Sequence, residues 1–242
     1  MRLAPRLRGA ARALVLAVAS VAASPAAEAG PPVVVELFTS QGCSSCPPAD
    51  ALLRELADRP DVVALSLHVD YWDYLGWHDV FARPAFSARQ MAYRDAAGAR
   101  SVYTPQMVVD GVESLVGSRA AEVRAAIETA RARPDRARIA LRRDADRIEI
   151  RVSAADGKAA PAGVLWFVTY RSPPPVRIER GENAGNALHY RNVVENWMKM
   201  GRWDGRAPAV YRAPAPSETS GVAVILQDGP VGPVIAAAKI DP

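Results

Sequence analysis

The sequence predicts an α/β domain followed by a β-rich, sandwich-like domain. In the first half, a buried strand runs through a cysteine pair into a helix and then into a second apolar strand. In the second half, apolar and polar residues alternate with period two, which is typical of half-buried strands. A charged segment broken by proline, residues 131–136, separates the two patterns. We therefore expect one domain over residues 30–133 and another over residues 137–242.

The composition is that of a chain that buries a core. Of 242 residues, 50% are hydrophobic and 23% are charged, and the mean hydropathy is −0.04. These values exclude wholesale disorder, a collagen-like chain and a protein with many membrane spans. Two cysteines are too few for a disulfide framework.

The first 29 residues are typical of a secretory signal. Four arginines within residues 2–12 precede an uncharged run over residues 13–27, and small residues follow at Ala27 and Ala29. We predict a signal peptide over residues 1–29, a periplasmic or secreted protein, and no membrane attachment after cleavage. Without this leader, 26 basic residues face 25 acidic ones, so we expect no nucleic-acid partner.

The elements of the first half are predicted in the order β-α-β-α-β-β-α. Residues 33–38 form a β-branched run, and a helix begins at Pro47, where proline suits the first turn. Residues 61–69 return as a parallel strand. A second helix covers residues 84–97. The turn Asp110-Gly111 joins two strands, and a closing helix capped by Ser118 ends near residue 132.

Strand patterns dominate the second half. They cover residues 148–152, 163–170, 222–227 and 234–240, and turn-rich stretches separate them. Residues 186–203 suit either a helix or a strand. A small antiparallel sandwich is the expected arrangement.

Cys43 and Cys46 follow the first strand and open the first helix. Unpaired N–H groups and the positive end of the helix dipole stabilise a thiolate at such a position. We therefore predict that Cys43 is the accessible, attacking sulfur and that Cys46, which is less exposed, resolves the mixed disulfide. A permanent disulfide that closes a loop and ligation of a metal remain open as alternatives.

The sequence resembles an exported bacterial family, domain of unknown function 1223. The resemblance spans most of the chain after the leader and implies a thioredoxin-like N-terminal half, but it implies no particular reaction. It is carried by the segments VELFTSQGCSSCPPAD at 35–50, HVDYWDYLGW at 68–77, YTPQM at 103–107, GEN at 181–183 and YRNVV at 190–194.

The pair Thr104-Pro105 comes directly before a predicted strand, where thioredoxin-like proteins place a cis-proline that faces the cysteines. A cis-Pro105 would offer the backbone of Thr104 to an extended substrate, whereas a trans-proline would simply open the strand. We expect Tyr103 and Trp72 to border the same site. Trp72 belongs to an aromatic insertion, residues 71–81, which could instead pack on the core.

Glu36 lies seven residues before Cys43 in an otherwise apolar strand, near the place where thioredoxins hold a buried acid. A dry environment would raise the pKa of its carboxyl group, which suits proton exchange with Cys46. The alternative is that Glu36 points to water or pairs with an arginine.

His68 ends the second predicted strand and could complete a metal site. Two thiolates and one imidazole suit Cu(I) or Zn(II). Such a site would resemble exported copper-delivery proteins of thioredoxin fold, although their cysteines are typically separated by three residues. The alternative is a hydrogen-bonded structural histidine.

Together these features predict an exported thiol–disulfide oxidoreductase without a cofactor. Its catalytic residues would be Cys43, Cys46 and Glu36, and its partners would be protein or small-molecule thiols and disulfides. The direction of electron transfer stays open. The alternative function is periplasmic copper binding or delivery through Cys43, Cys46 and His68.

Overall fold

A computed structural model describes residues 30–242. The predicted signal peptide lies outside the described residues. Within them, no helix is both long enough and apolar enough to span a membrane.

The first half contains four strands and three α-helices, in the predicted order. A short 3-10 helix, Asp73–Leu75, lies in the aromatic insertion. The elements are β1 (Val33–Thr39), α1 (Pro47–Ala57), β2 (Val62–His68), α2 (Pro84–Ala96), β3 (Gln106–Val109), β4 (Glu113–Val116) and α3 (Ala120–Arg131).

The second half is built from strands, and the ambiguous stretch before Trp203 is one of them. The strands are β5 (Ala137–Asp144), β6 (Arg147–Ala154), β7 (Gly163–Arg171), β8 (Val176–Arg177), β9 (Ala187–Leu188), β10 (Val193–Trp203), β11 (Ala209–Pro214), β12 (Gly221–Gln227) and β13 (Val234–Ile240).

The predicted fold class, a thioredoxin-like α/β domain followed by a separate β-rich domain, is wrong. Strands from both halves form one mixed eight-stranded sheet in the order β13-β12-β7-β10-β2-β1-β3-β4. The described residues are therefore mostly β, with few helices. The sequence pattern located many of the strands, but it missed β5 and β11 and does not show which strands are neighbours. The predicted boundary falls between α3 and β5, and the division of the chain there stays a prediction.

Asn192 and Val193 join the two halves of the sheet. Val193 on β10 pairs with Ser66 on β2 in a parallel register. The Ser66 N–H donates to the Asn192 carbonyl oxygen at 2.9 Å, and the Asn192 side-chain amide donates to the Ala64 carbonyl oxygen at 2.9 Å. Since β2 would otherwise have an open edge, these bonds continue the sheet into the second half.

Both faces of the sheet are covered. Helices α1 and α3 pack their apolar residues, such as Leu53 and Ile127, on β1, β2 and β3. A separate three-stranded sheet, β11-β6-β5, packs on β7 and β12. Helix α2 packs on the opposite face through Phe86 and Tyr93. The cores of the two halves are therefore built on one common sheet.

The turn between β3 and β4 confirms the predicted hairpin. Asp110 and Gly111 have φ values of 54° and 70°, the left-handed region that such turns require. The predicted cap of α3 is wrong: the helix begins at Ala120, and Ser118 does not cap it. Arg119 is the N-cap residue, without a side-chain hydrogen bond.

Candidate functional site

Cys43 and Cys46 form a disulfide between the end of β1 and the start of α1. Their Cα atoms are 5.4 Å apart. Cys46 is the N-cap residue of α1, and its carbonyl oxygen accepts hydrogen bonds from the N–H groups of Ala49 and Asp50. The pair thus lies at the positive end of the helix dipole.

Both cysteines are buried. Cys43 is 2% exposed and Cys46 is 0% exposed, whereas Ser44 and Ser45 between them face solvent. The prediction of an accessible Cys43 is therefore wrong for the disulfide-bonded protein.

Thr104-Pro105 faces the cysteine pair. The peptide bond between these residues is cis, as predicted. The Ser45 hydroxyl donates to the Thr104 carbonyl oxygen at 3.4 Å, and the same hydroxyl lies 3.4 Å from the Cys43 Sγ. One side chain thus joins the Thr104 backbone to the first sulfur. Tyr103, which is 38% exposed, flanks this segment on the solvent side.

The aromatic insertion lies directly against the cysteine turn. The Trp72 indole N–H donates to the Thr104 hydroxyl at 2.8 Å, and the Trp77 indole N–H donates to the Gln41 side-chain oxygen at 2.7 Å. A side chain at Gly42 would have its Cβ 3.1 Å from the Trp72 Cβ. Trp72 therefore borders the site as predicted and also packs on the core beneath it.

Asn183, in the second half of the chain, is a site residue that the predictions did not include. Its side-chain amide donates to the carbonyl oxygens of Gln41 at 2.9 Å and of Cys43 at 3.0 Å, and the residue is 3% exposed. The loop around it also packs on the aromatic insertion, because Gly181 lies near Trp77. The only sequence signal was the GEN segment that resembles the family.

Glu36 does not lie at the cysteine pair. Its carboxylate accepts hydrogen bonds from the Arg89 guanidinium at 2.5 and 2.8 Å and from the Tyr93 hydroxyl at 2.6 Å. Its side chain shares a face of β1 with Val34 and Phe38, opposite the face that α1 covers. Glu36 is therefore paired with an arginine, which was the alternative expectation. It is not positioned to carry the proton of Cys46.

Asp50 is the acid that the structure places on the cysteine side of the sheet. The Thr39 hydroxyl donates to its Oδ1 at 2.8 Å, and the residue is 6% exposed. Burial raises the pKa of Asp50 to about 7, against the opposing effects of the His68 charge and the Thr39 hydrogen bond. The hydrophobic pattern of α1 gave no sign that this carboxyl points inward.

His68 is buried and hydrogen-bonded to a carboxylate. Its Nδ1 lies 2.7 Å from the Asp79 Oδ2, and its ring packs edge-on against Phe81 and Tyr190. Among residues 30–242, no group of three or more His, Cys, Asp or Glu side chains is arranged to hold a metal ion. His68 is therefore a buried, hydrogen-bonded histidine, as in the structural alternative to a metal ligand.

Comparison with known proteins relates the chain to one family. A family model described as "Protein of unknown function (DUF1223)" matches residues 34–227. No curated protein matches the chain.

Two solved structures have a similar fold. Protein AGR_C_4864 from Agrobacterium tumefaciens is 29% identical, with a TM-score of 0.75, over 88% of this chain and 95% of that chain. HBP35 of Porphyromonas gingivalis is 15% identical, with a TM-score of 0.61, over 88% of this chain and 75% of that chain. The second likeness concerns the fold alone.

Proposed function

The chain belongs to the DUF1223 family, and we propose that this member is an exported thiol–disulfide oxidoreductase that uses the Cys43–Cys46 pair. The observation that carries the proposal is the position of this disulfide. It lies at the start of α1, and the Thr104 backbone faces it across the Ser45 hydroxyl.

Cys43 suits the role of the attacking sulfur. The positive end of the α1 dipole favours a thiolate at this end of the helix. The Ser45 hydroxyl, 3.4 Å from the Cys43 Sγ, can donate a hydrogen bond to that thiolate. Cys46 is the N-cap residue of the helix and is fully buried, which suits an attack on the neighbouring sulfur rather than on a substrate.

The exchange has two balanced steps. The Cys43 thiolate attacks a substrate disulfide, forms a mixed disulfide and releases one substrate thiolate. Cys46 then loses its proton and attacks Cys43, which forms the Cys43–Cys46 disulfide and releases the second substrate thiolate. The reverse sequence transfers the disulfide to a dithiol. The same residues serve both directions. The reduction potential of the cysteine pair, relative to that of its partner, determines the direction of the reaction.

The segment 103–105 supports a substrate chain in this proposal. Among residues 30–242, the Thr104 carbonyl oxygen accepts only a long hydrogen bond from Ser45, so an extended peptide with a backbone N–H can replace that donor. The exposed aromatic rings of Tyr103, in this segment, and of Tyr74, in the aromatic insertion, offer apolar surface. We therefore propose protein or small-molecule thiols and disulfides as partners.

Exchange requires the site to open, because Cys43 is buried. The residues over the cysteine turn come from two loops, the aromatic insertion at 71–81 and the segment at 181–186. Loops of this kind open locally at a lower free energy than the sheet beneath them. The proposal therefore includes an open state in which Asn183 releases the carbonyl oxygen of Cys43.

Copper binding or delivery stays a prediction from the sequence. No specific contact among the described residues favours it, since His68 is bonded to Asp79 and both sulfurs are joined to each other.

A disulfide-exchange assay tests the proposed function. Wild type, Cys43→Ser and Cys46→Ser are compared in the reduction of a disulfide-containing protein, with glutathione as the electron source. Wild type should turn over and Cys43→Ser should be inactive. In a single turnover of pre-reduced protein without glutathione, Cys46→Ser should stop at a mixed disulfide that is visible by mass spectrometry. Activity that survives Cys43→Ser would refute the proposed nucleophile.

A further inference from the structure

A cluster of buried polar side chains lies behind the cysteine pair, and the exchange steps described above do not use it. Each of its members is 6% exposed or less. The cluster consists of Thr39, Asp50, His68, Asp79 and Tyr190.

Asp50 lies one helical turn from Cys46. Cys46 has helical backbone angles, φ −79° and ψ −34°, and its carbonyl oxygen accepts the Asp50 N–H at 3.1 Å. Side chains four residues apart in a helix lie on one face, with Cβ atoms about 5–6 Å apart. Asp50 therefore lies on the same face of α1 as the second cysteine, and its carboxyl group points inward to the Thr39 hydroxyl.

His68 approaches Asp50 from the sheet. Thr39, which donates its hydroxyl to Asp50, is the register partner of His68 in the parallel pair β1–β2. Paired residues of neighbouring strands point to the same face of a sheet, so the imidazole and the Thr39 hydroxyl lie side by side. The charge of His68 accordingly lowers the pKa of Asp50, against the larger effect of burial.

Asp79 holds the imidazole from its other end. It accepts the His68 Nδ1 at 2.7 Å, the Gln41 N–H at 2.8 Å and the Phe81 N–H at 2.9 Å. Burial favours the neutral form of Asp79, but the His68 charge and these hydrogen bonds outweigh it and lower the pKa of Asp79. An ionised Asp79 directs the Nδ1 proton of His68 towards itself and leaves Nε2 free.

Three buried atoms of the cluster have no hydrogen-bond partner among the described residues. They are Asp50 Oδ2, His68 Nε2 and Tyr190 Oη. The three groups are neighbours, since the Tyr190 ring packs against the His68 ring with 4.7 Å between their centroids. Asp50 is bonded to Thr39, the register partner of His68. Polar atoms that are buried without a partner require an explanation, and for Asp50 Oδ2 a role as proton acceptor provides one.

We infer that Asp50, held by Thr39 and coupled to the His68–Asp79 pair, takes the proton from the Cys46 thiol when the disulfide closes and returns it when the disulfide opens. The inference rests on the proposed function and adds the proton-transfer group that Glu36 does not provide. On closure, the S–H bond of Cys46 breaks and its proton passes to Asp50 Oδ2. The electron pair on the Cys46 sulfur forms the bond to Cys43, and the substrate thiolate leaves with the electrons of the broken mixed disulfide.

The charges around Asp50 suit this role near neutral pH. His68 and Arg54 favour its ionised form, while burial and Asp79 favour its protonated form. The resulting pKa of about 7 for Asp50 is close to the pH at which an exported enzyme works, which is where a general base is most effective.

Release of a chromophoric thiol measures the step directly. Reduced protein reacts with Ellman's reagent to form a mixed disulfide at Cys43, and the release of the second nitrothiobenzoate reports the attack by Cys46. Wild type, Asp50→Asn and the matched control Glu55→Gln on the exposed side of α1 are followed from pH 5 to pH 9. Circular dichroism confirms that each variant is folded.

The inference predicts a wild-type release rate that rises through pH 7 and then levels off. Asp50→Asn should be at least tenfold slower at pH 7 and should rise with pH without that plateau, because hydroxide must replace the base. Glu55→Gln should follow wild type. Equal rates and profiles in wild type and Asp50→Asn would overturn the inference and leave the proposed function intact.

A second variant covers the case in which Asp50→Asn does not fold. Thr39→Val removes only the hydroxyl that lowers the pKa of Asp50, so the rise in rate should move to higher pH. An unmoved profile in Thr39→Val would then overturn the inference. If wild type releases no second nitrothiobenzoate at all, the proposed function fails together with the inference.

Discussion

The side-chain amide of Asn183 donates a hydrogen bond of 3.0 Å to the carbonyl oxygen of Cys43, 140 residues earlier in the chain. The second half of the protein thus closes directly over the cysteine turn of the first half. Because Asn183 also holds the Gln41 carbonyl oxygen, its release would free two backbone groups next to the first sulfur. The accessibility of Cys43 therefore depends on a residue that is remote in sequence.

Loss of the Asn183 amide should expose Cys43. Asn183→Ala removes two hydrogen bonds, each worth about 0.5–1.5 kcal/mol, from the closed state. The reduced variant should therefore react about tenfold faster than wild type with a bulky maleimide. Asn186→Ala, an exposed change in the same loop, is the matched control and should react like wild type. Equal rates in all three proteins would mean that this contact does not limit access.

The stability of the oxidised protein should fall as the pH rises from about 4 to about 7. Folded Asp50 keeps its proton up to about pH 7, whereas an unfolded aspartate loses it near its model value of 3.8. Between these values the folded state binds more protons, so the contribution of Asp50 to stability is complete below pH 3.8 and is lost as the pH rises towards 7.

Urea unfolding at a series of pH values checks this dependence. The slope attributable to Asp50 is at most about 1.4 kcal/mol per pH unit, and Asp50→Asn should remove it. The lowered pKa of Asp79 acts only below the model value and therefore outside this window. A slope that is the same in wild type and Asp50→Asn would show that Asp50 is ionised throughout.

Glu36 should matter for stability and not for exchange. Glu36→Gln leaves the Arg89 guanidinium buried without its counter-ion, which typically costs about 3–5 kcal/mol of unfolding free energy. The rate of nitrothiobenzoate release from the folded variant should equal that of wild type. Glu122→Gln, which breaks the exposed pair with Arg119, is the control and should change stability little. If Glu36→Gln released nitrothiobenzoate more slowly than wild type and had unchanged stability, Glu36 would have to take part in proton transfer.

Gly111 should tolerate alanine less well than another glycine of similar backbone conformation. Both Gly111 and Gly98 have positive φ, 70° and 62°. A Cβ at Gly111 would clash with the Gly232 carbonyl oxygen in the turn after β12, whereas a Cβ at Gly98 would meet nothing within 4 Å. Gly98→Ala should cost about 1 kcal/mol, and Gly111→Ala should cost at least 1 kcal/mol more in thermal unfolding. Equal losses of stability in the two variants would mean that the β3–β4 turn and the β12–β13 turn can move apart without cost.

The local elements of the first half could be predicted because their signals are local. Pro47 begins α1, and Asp110-Gly111 forms the hairpin turn, as the residue types indicate. The joining of the two halves could not be predicted, because it depends on backbone bonds at Asn192 and Val193 that leave no periodic pattern. A strand such as β10 gives the same pattern whether its neighbour comes from its own half or from the other.

Some residues of the candidate site could be predicted, because their positions at strand ends bring them together. Cys43, Cys46 and Pro105 meet because the ends of β1 and the start of β3 are neighbours in the sheet. The sequence predicts the acid at Glu36 because this residue lies in an apolar strand, near the place where thioredoxins hold a buried acid. In the structure, Glu36 instead pairs with Arg89. Asp50 was missed because an aspartate in the first turn of a helix usually faces solvent, and only the Thr39 hydroxyl shows that this one points inward.

The reduction potential of the Cys43–Cys46 pair is the most direct test of the proposed chemistry. The protein is equilibrated in glutathione buffers of known potential, and the oxidised fraction is read by maleimide labelling and mass spectrometry. An exchanging pair should titrate between about −270 and −120 mV, the range of known thiol–disulfide exchange proteins. A potential below about −300 mV would mark the disulfide as a structural link and would contradict the assignment of Cys43 as a nucleophile.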